Sequence, residues 1–285
     1  MIDAHEAIKT LRHAAELNRE ESLLKGSTLH FPAYGQLVVT GDMHGHRRNF
    51  AKLQRYCDLE HAPARHVILH ELIHEEPAAW DAPDTSYELL IEAARWKCDH
   101  PDQVHFLQSN HELSQLTGHE IAKNGRIATF EFERSIRRAF DSAATELLIA
   151  IAEFIRSLPL AARTATGVFV AHSLPSPRDL PRFDPGVLAR PTQEHDLVEP
   201  GSGYLLVWGR YQTAEELEAL RLMLGCDFFV CGHQPQESGY DVLHDRMLII
   251  ASDHNHGVFL PIDLARKPKD VSELVARLRP FASVA

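Results

Sequence analysis

Five short apolar runs in this chain each end in side chains that bind metal ions. Leu37-Val38-Val39-Thr40 leads into Gly41-Asp42-Met43-His44-Gly45, and Val67-Ile68-Leu69 leads into His70-Glu71. Val104-His105-Phe106-Leu107 precedes Ser109-Asn110-His111-Glu112, Gly167-Val168-Phe169-Val170-Ala171 precedes His172, and Phe228-Phe229-Val230-Cys231 precedes Gly232-His233. Short apolar runs bounded by turn residues read as buried strands. Five such strands predict one sheet that delivers its ligands to a common edge.

The segments between them alternate in type. Residues 3–24 carry Ile8, Leu11, Ala15 and Leu17 at helical spacing. A strand over 36–40, a helix over 49–59 and a strand over 66–69 follow. Next come a loop broken by Pro77 and Pro83, a helix near 85–97 and a strand over 104–107, which together make an α/β pattern. Residues 112–158 read as mostly helical. Residues 174–203, rich in Pro, Gly and Asp, read as a long surface loop. A strand over 204–208, a helix over 213–224, a strand over 227–231 and a hairpin of 246–251 with 257–263 complete the expectation. No linker or repeat divides the chain, so it reads as one domain over 1–285 with an N-terminal helix within 1–30 packed on it.

Charge narrows the partners. With 29 basic against 40 acidic residues the net charge is −11, which argues against nucleic acid or an anionic membrane as the main partner. No stretch approaches the ~20 apolar residues of a membrane span, and the N-terminus lacks a signal-peptide core. Cys57, Cys98, Cys226 and Cys231 are too few and too scattered for a disulfide framework, which fits a cytoplasmic location. Cys226 and Cys231 flank a predicted buried strand and read as core thiols. The 19 histidines are the compositional outlier.

Asp, His, Asn and Glu at strand ends make a mixed oxygen and nitrogen donor set. Such a set suits Mn, Fe or Zn better than Ca. Asp42 and His44, two residues apart on a turn, face one ion, and Glu71 has two oxygens with which to bridge to a second. Asn110 is a neutral ligand, and His172 and His233 complete the two sites. Two ions ~3.5–4 Å apart share a water and lower its pKa. His111, beside Asn110, is placed to protonate a leaving oxygen. The same stretch also spells His70-Glu71-x-x-His74, the helical motif of zinc proteases, with Glu71 as base and Glu88 or Glu92 as a third ligand.

In order and spacing, GDMHG, SNHE, AHSLP and CGH resemble the calcineurin-like metallophosphoesterases, in particular the phosphoprotein-phosphatase branch. Glu20-Glu21-Ser22-Leu23-Leu24, the segment from Phe154 to Ala162, and GHQPQESGY near the C-terminus carry the likeness further. The resemblance implies two packed mixed β-sheets, a β-sandwich, flanked by α-helices. It implies two divalent metal ions, manganese first, with Fe, Zn or Ni as alternatives. The implied reaction is hydrolysis of phosphomonoesters or phosphoanhydrides by a metal-bridging hydroxide, on a phosphorylated protein or small molecule.

Carried over residue by residue, Asp42 and His44 hold one metal with His233 nearby, Asn110 and His172 hold the other, Glu71 bridges, and His111 is the general acid. Trp208-Gly209-Arg210 resembles a W-x-R segment whose Arg binds phosphate, which makes Arg210 the substrate clamp. The second motif departs from the family. Its GD-x-x-DR is here His70-Glu71-Leu72-Ile73-His74-Glu75. The bridging Asp has become Glu71, the Asp that holds the general acid has become His74, and the phosphate-binding Arg has become Glu75. SNHE lacks the leading Gly, and AHSLP lacks the paired Gly. These changes motivate a second reading, a degenerate relative that keeps the fold and binds without catalysis.

Overall fold

The computed structural model describes residues 2–76, 79, 82–123 and 125–284; Pro77, read above as a loop breaker, lies outside them. The strands in chain order are β1 (Leu24–Lys25), β2 (Thr28–Phe31), β3 (Gln36–Asp42), β4 (Arg65–His70), β5 (Val104–Phe106), β6 (Ala122–Lys123) and β7 (Arg126–Ile127). They continue as β8 (Ala161–Thr164), β9 (Val168–Ala171), β10 (Phe228–Cys231), β11 (Tyr240–Leu243), β12 (Met247–Ile250), β13 (Val258–Asp263) and β14 (Arg279–Pro280). Seven form a sheet in the order β1-β2-β8-β9-β10-β12-β11, five form a second in the order β14-β13-β3-β4-β5, and β6 and β7 pair by themselves.

The ligand-bearing strands are therefore divided between two sheets, not gathered in one. β3, β4 and β5 lie in the five-stranded sheet, and β9 and β10 in the seven-stranded one. Side-chain alternation shows why. Leu37 and Val39 of β3, Ile68 of β4, Val168 and Val170 of β9, and Phe228 and Val230 of β10 meet in one cluster between the sheets. Val38, Val67 and Leu69 turn the other way, into the helical layer that contains Leu11, Leu90 and Phe154. Phe169, Ala171, Phe229 and Cys231 face a third cluster with Leu206 and Leu220. A strand covered on both faces needs apolar residues at every position, which is why these runs do not alternate in sequence.

Two expectations fail, for different reasons. Residues 204–208 are not a strand; they belong to the helix Ser202–Trp208, whose Leu205, Leu206 and Val207 cover the outer face of the seven-stranded sheet. A short apolar run fits either element when both bury it. The hairpin of 246–251 with 257–263 does not form either. β12 pairs with β11, and β13 crosses to the other sheet and runs antiparallel to β3. The 174–203 segment is built of short helical turns, and Arg190 is held to both Asp196 oxygens at 2.6 and 2.7 Å.

The sheets touch where the first ligand stands. The parallel ladder of β3 with β4 shifts register between Val39 and Asp42, and Asp42 forms an isolated bridge with Ala251 just past β12. Gly41 makes this approach possible, because a Cβ there would collide with the Ile250 carbonyl.

On the far side of the five-stranded sheet, the helix Ala4–Arg19 packs against the helices Ser86–Asp99 and Ala144–Arg156. The chain after it is pinned by Glu21. One Glu21 oxygen accepts from Lys97 Nζ at 2.5 Å and the other lies 2.7 Å from His105 Nδ1. Against the cost of burial, the charges of His105 and Lys97 hold the Glu21 carboxyl below its usual range.

Candidate metal centre

Each ligand candidate stands at a strand end or at the first turn of a helix. Asp42 closes β3, Glu71 follows β4, His172 follows β9 and His233 lies two residues past β10. Asn110 and His111 open the helix Asn110–Thr117, where Ser109 is the N-cap and accepts from Glu112 N. Ser109, in the place of the family's Gly, thus supplies a capping hydroxyl. Glu112 Oε1 in turn accepts from Leu72 N at 2.7 Å and Ile73 N at 3.3 Å, which fixes the turn after Glu71.

The backbone here is held in a demanding shape. His44, Glu71, His74 and His233 have φ of 39°, 52°, 62° and 67°. Left-handed backbone at non-glycine residues costs energy and collects at functional sites. It is sustained by main-chain bonds: Met43 N and His44 N both donate to Glu71 O at 2.9 Å, and Gly45 N donates to Leu72 O at 2.8 Å. A side chain at Gly232 would collide with the Asp42 carboxylate.

All the predicted ligands converge. Glu71 is 2% exposed and spans the cluster, with Oε1 3.0 Å from His44 Nε2 and Oε2 3.0 Å from His172 Nε2. His172 Nε2 lies 2.7 Å from Asn110 Oδ1 and 3.2 Å from His233 Nδ1, and Asn110 Oδ1 lies 2.9 Å from that same nitrogen. The His233 side chain therefore stands beside Asn110 and His172, while its backbone N–H donates to both Asp42 oxygens at 2.9 Å. Donor atoms of Asp42, His70 and His172 lie within 4.8 Å of one another, as do those of His44, Glu71 and His111. Arg210 borders the cluster, its Nε donating to His233 Nε2 at 3.0 Å.

Burial and crowding set the charges. Burial first, and then Glu71, push the Asp42 carboxyl up to about 7. Burial opposes protonation of His44, yet the Glu71 charge outweighs it and holds His44 at about 10. Glu71 itself, despite burial, is kept well below its ordinary value by His172, His111 and His44. A buried carboxylate ringed by imidazoles is an environment made for cations.

The donors fit divalent ions. Glu71 Oε2 is buried and, although close to His172, is aligned with no hydrogen-bond donor. His172 is oriented as a ligand usually is, by an outer partner. His70 Nε2–H donates to Thr40 O at 2.7 Å, which leaves His70 Nδ1 to accept from His172 Nδ1 at 3.0 Å and turns His172 Nε2 to Glu71 and Asn110.

His70 therefore stands behind a candidate ligand, a position the sequence reading missed because it placed His70 in a zinc-protease motif. That motif requires a helix, and residues 71–76 form none. His74, also part of it, faces His111 and Gln115. Arg47, just past the GDMHG turn, pairs with Glu88 and Glu92 at the surface.

Two packed sheets with oxygen and nitrogen donors gathered at their strand ends make a candidate site for divalent metal. The chain belongs to the calcineurin-like phosphoesterases, whose family model matches residues 35–237. It is a phosphoesterase of the metal-dependent kind. No curated protein matches the sequence.

Among solved structures the chain is similar to a protein serine/threonine phosphatase from Saccharomyces cerevisiae described as similar to human phosphatase PP5. The TM-score is 0.70 at 15% identity, over 99% of this chain and 94% of that one. It is also similar to a cold-active protein tyrosine phosphatase, with TM-score 0.57 at 14% identity, over 87% of this chain and 78% of that one. A cold-active protein-tyrosine phosphatase of a psychrophilic Shewanella species gives 0.56 at 16% identity, over 88% and 80%. These likenesses are of fold.

Proposed function

We propose that the chain hydrolyses phosphomonoesters or phosphoanhydrides at a pair of divalent cations bridged by Glu71. The observation that carries this reading is the carboxylate of Glu71, with one oxygen at His44 and the other at His172. Asp42 and His44 would hold one cation, Asn110, His172 and His233 the other. When bound, the pair supplies Lewis acidity, lowering the pKa of water toward ~7 and neutralising phosphoryl oxygens. Manganese is the first candidate, because the donors mix hard oxygen with imidazole.

The protein's own part is to hold the phosphoryl group and exclude competing geometries. Arg210 stands at the border of the cluster, and its guanidinium is the group that would grip the phosphate. Glu75, whose side chain lies against Gly45, accepts from Thr85 N at 3.2 Å and Thr85 Oγ1 at 2.8 Å. A carboxylate there disfavours substrates with extra negative charge beside the scissile phosphate. The substrate is thus a phosphorylated protein or small molecule that is neutral or cationic near that group. A cytoplasmic setting is supported by four cysteines that all stand as free thiols. Among the described residues no helix is long and apolar enough to cross a membrane.

Purified protein with added Mn should hydrolyse an aryl phosphate, and Asp42→Asn should abolish turnover. Metal-loaded protein inert towards a broad panel of phosphoesters would refute the proposal, and tight metal binding without turnover would favour the binding-module reading that Glu75 motivates.

A further inference from the structure

His111 lies inside the Glu71 cluster, and its other ring nitrogen is held from behind by a chain of contacts. The chain of bonds starts at the surface. Glu133, paired with Arg137, is a carboxylate and only accepts, so the Gln115 amide turns its NH2 toward it at 3.4 Å. Gln115 Oε1 then faces His74 Nε2 at 3.0 Å and requires a hydrogen there. His74 is buried and has no carboxylate against either ring nitrogen. Its Nδ1 lies 2.9 Å from His111 Nδ1. His111 Nε2 faces Glu71 Oε1 at 3.9 Å. His44 is oriented alike: its Nδ1–H donates to Ile73 O at 3.0 Å and its Nε2 is turned to the same Glu71 oxygen at 3.0 Å.

In place of the general-acid role, we propose that His111 is a ligand of the cation held by His44 and Glu71, with His74 and Gln115 as the outer partners that orient it. This rests on the two-cation reading above. The donors of His44, Glu71 and His111 already lie within 4.8 Å of one another. Each imidazole has its second nitrogen tied to an outer group, as metal-bound histidines do. The substitution of His74 for the family's Asp then has a chemical sense. An Asp beside Nδ1 stabilises a charged ring able to give up a proton, whereas His74 brings no negative charge to that place.

The test uses Mn(II) alone, with calorimetry to count ions and pulsed EPR to count coordinated imidazole nitrogens. Wild type should bind two ions. His111→Ala should lose one imidazole nitrogen and weaken one ion while leaving the other unchanged. His74→Leu should weaken the same ion by roughly 10–100-fold while keeping the nitrogen count, which separates orientation from ligation. If His111→Ala keeps both affinities and every nitrogen but hydrolyses alkyl phosphates far more slowly than aryl phosphates, His111 is a proton donor and the inference falls alone. If wild type binds no Mn, the two-cation reading falls and takes the inference with it.

Discussion

Glu71 and His172 meet across the seam between the two sheets. One follows β4 and the other β9, and Glu71 Oε2 stands 3.0 Å from His172 Nε2. A single carboxylate thereby couples both halves of the site. Glu71→Gln preserves the shape but removes the charge that balances three imidazoles. It should strip Mn from both positions together. Elemental analysis after gel filtration checks this, and loss of one ion with retention of the other would speak against a shared bridge.

Glu75 lies against Gly45, next to His44, and would place a negative charge beside a bound phosphate. Two unit charges ~4 Å apart interact by about 1 kcal/mol in water and ~4 kcal/mol at an effective dielectric of 20. Glu75→Arg reverses the sign beside an anionic substrate, so kcat/KM for a dianionic phosphomonoester should rise by roughly tenfold or more, mainly through KM. Steady-state kinetics on one monoester decide the matter; an unchanged KM means Glu75 lies outside the substrate's field.

Glu21 carries a different load. Lys97 is fully buried and Glu21 nearly so, 2.5 Å apart. Removing one partner of a buried pair leaves an uncompensated charge and costs ~3–5 kcal/mol. Glu21→Gln should lower the urea midpoint accordingly, while Arg12→Ala, which breaks an exposed pair with Glu146 and Glu153, should change it little. Similar midpoints for the two variants would contradict the assignment.

His66 gives the protein a pH signature. Burial first, then the charge of His105, lower the His66 imidazole from 6.5 to about 4. Below 6.5 the unfolded chain takes up a proton that the folded chain refuses, so this contribution is complete above 6.5 and is lost as pH falls toward 4 and beyond. His66→Gln should flatten the decline of the urea midpoint between pH 6.5 and 4. A slope equal to that of wild type would show that His66 is not held neutral.

The sequence made some of this legible and left the rest hidden, for physical reasons. Apolar runs ending in Asp42, Glu71, Asn110, His172 and His233 marked the ligand edge, because a ligand at a strand end leaves a local signature. The division into two sheets came through the family resemblance and left no local signature: β9 and β3 read alike when each is buried on both faces. Leu205, Leu206 and Val207 read as a strand for the same reason. His70, Gln115 and Glu133 act through partners distant in sequence, and only the fold brings Gln115 to His74. The signal for His70 was present, a polar ring at the end of β4 where the family has Gly, but the zinc motif offered it a competing use.

The central claim is that Glu71 joins two cations. The most direct measurement is an anomalous difference map, at the manganese edge, from a crystal grown with Mn(II). The account predicts two peaks ~3.5–4 Å apart, with one Glu71 oxygen on each. A single peak, or two peaks that share no contact with Glu71, would contradict it.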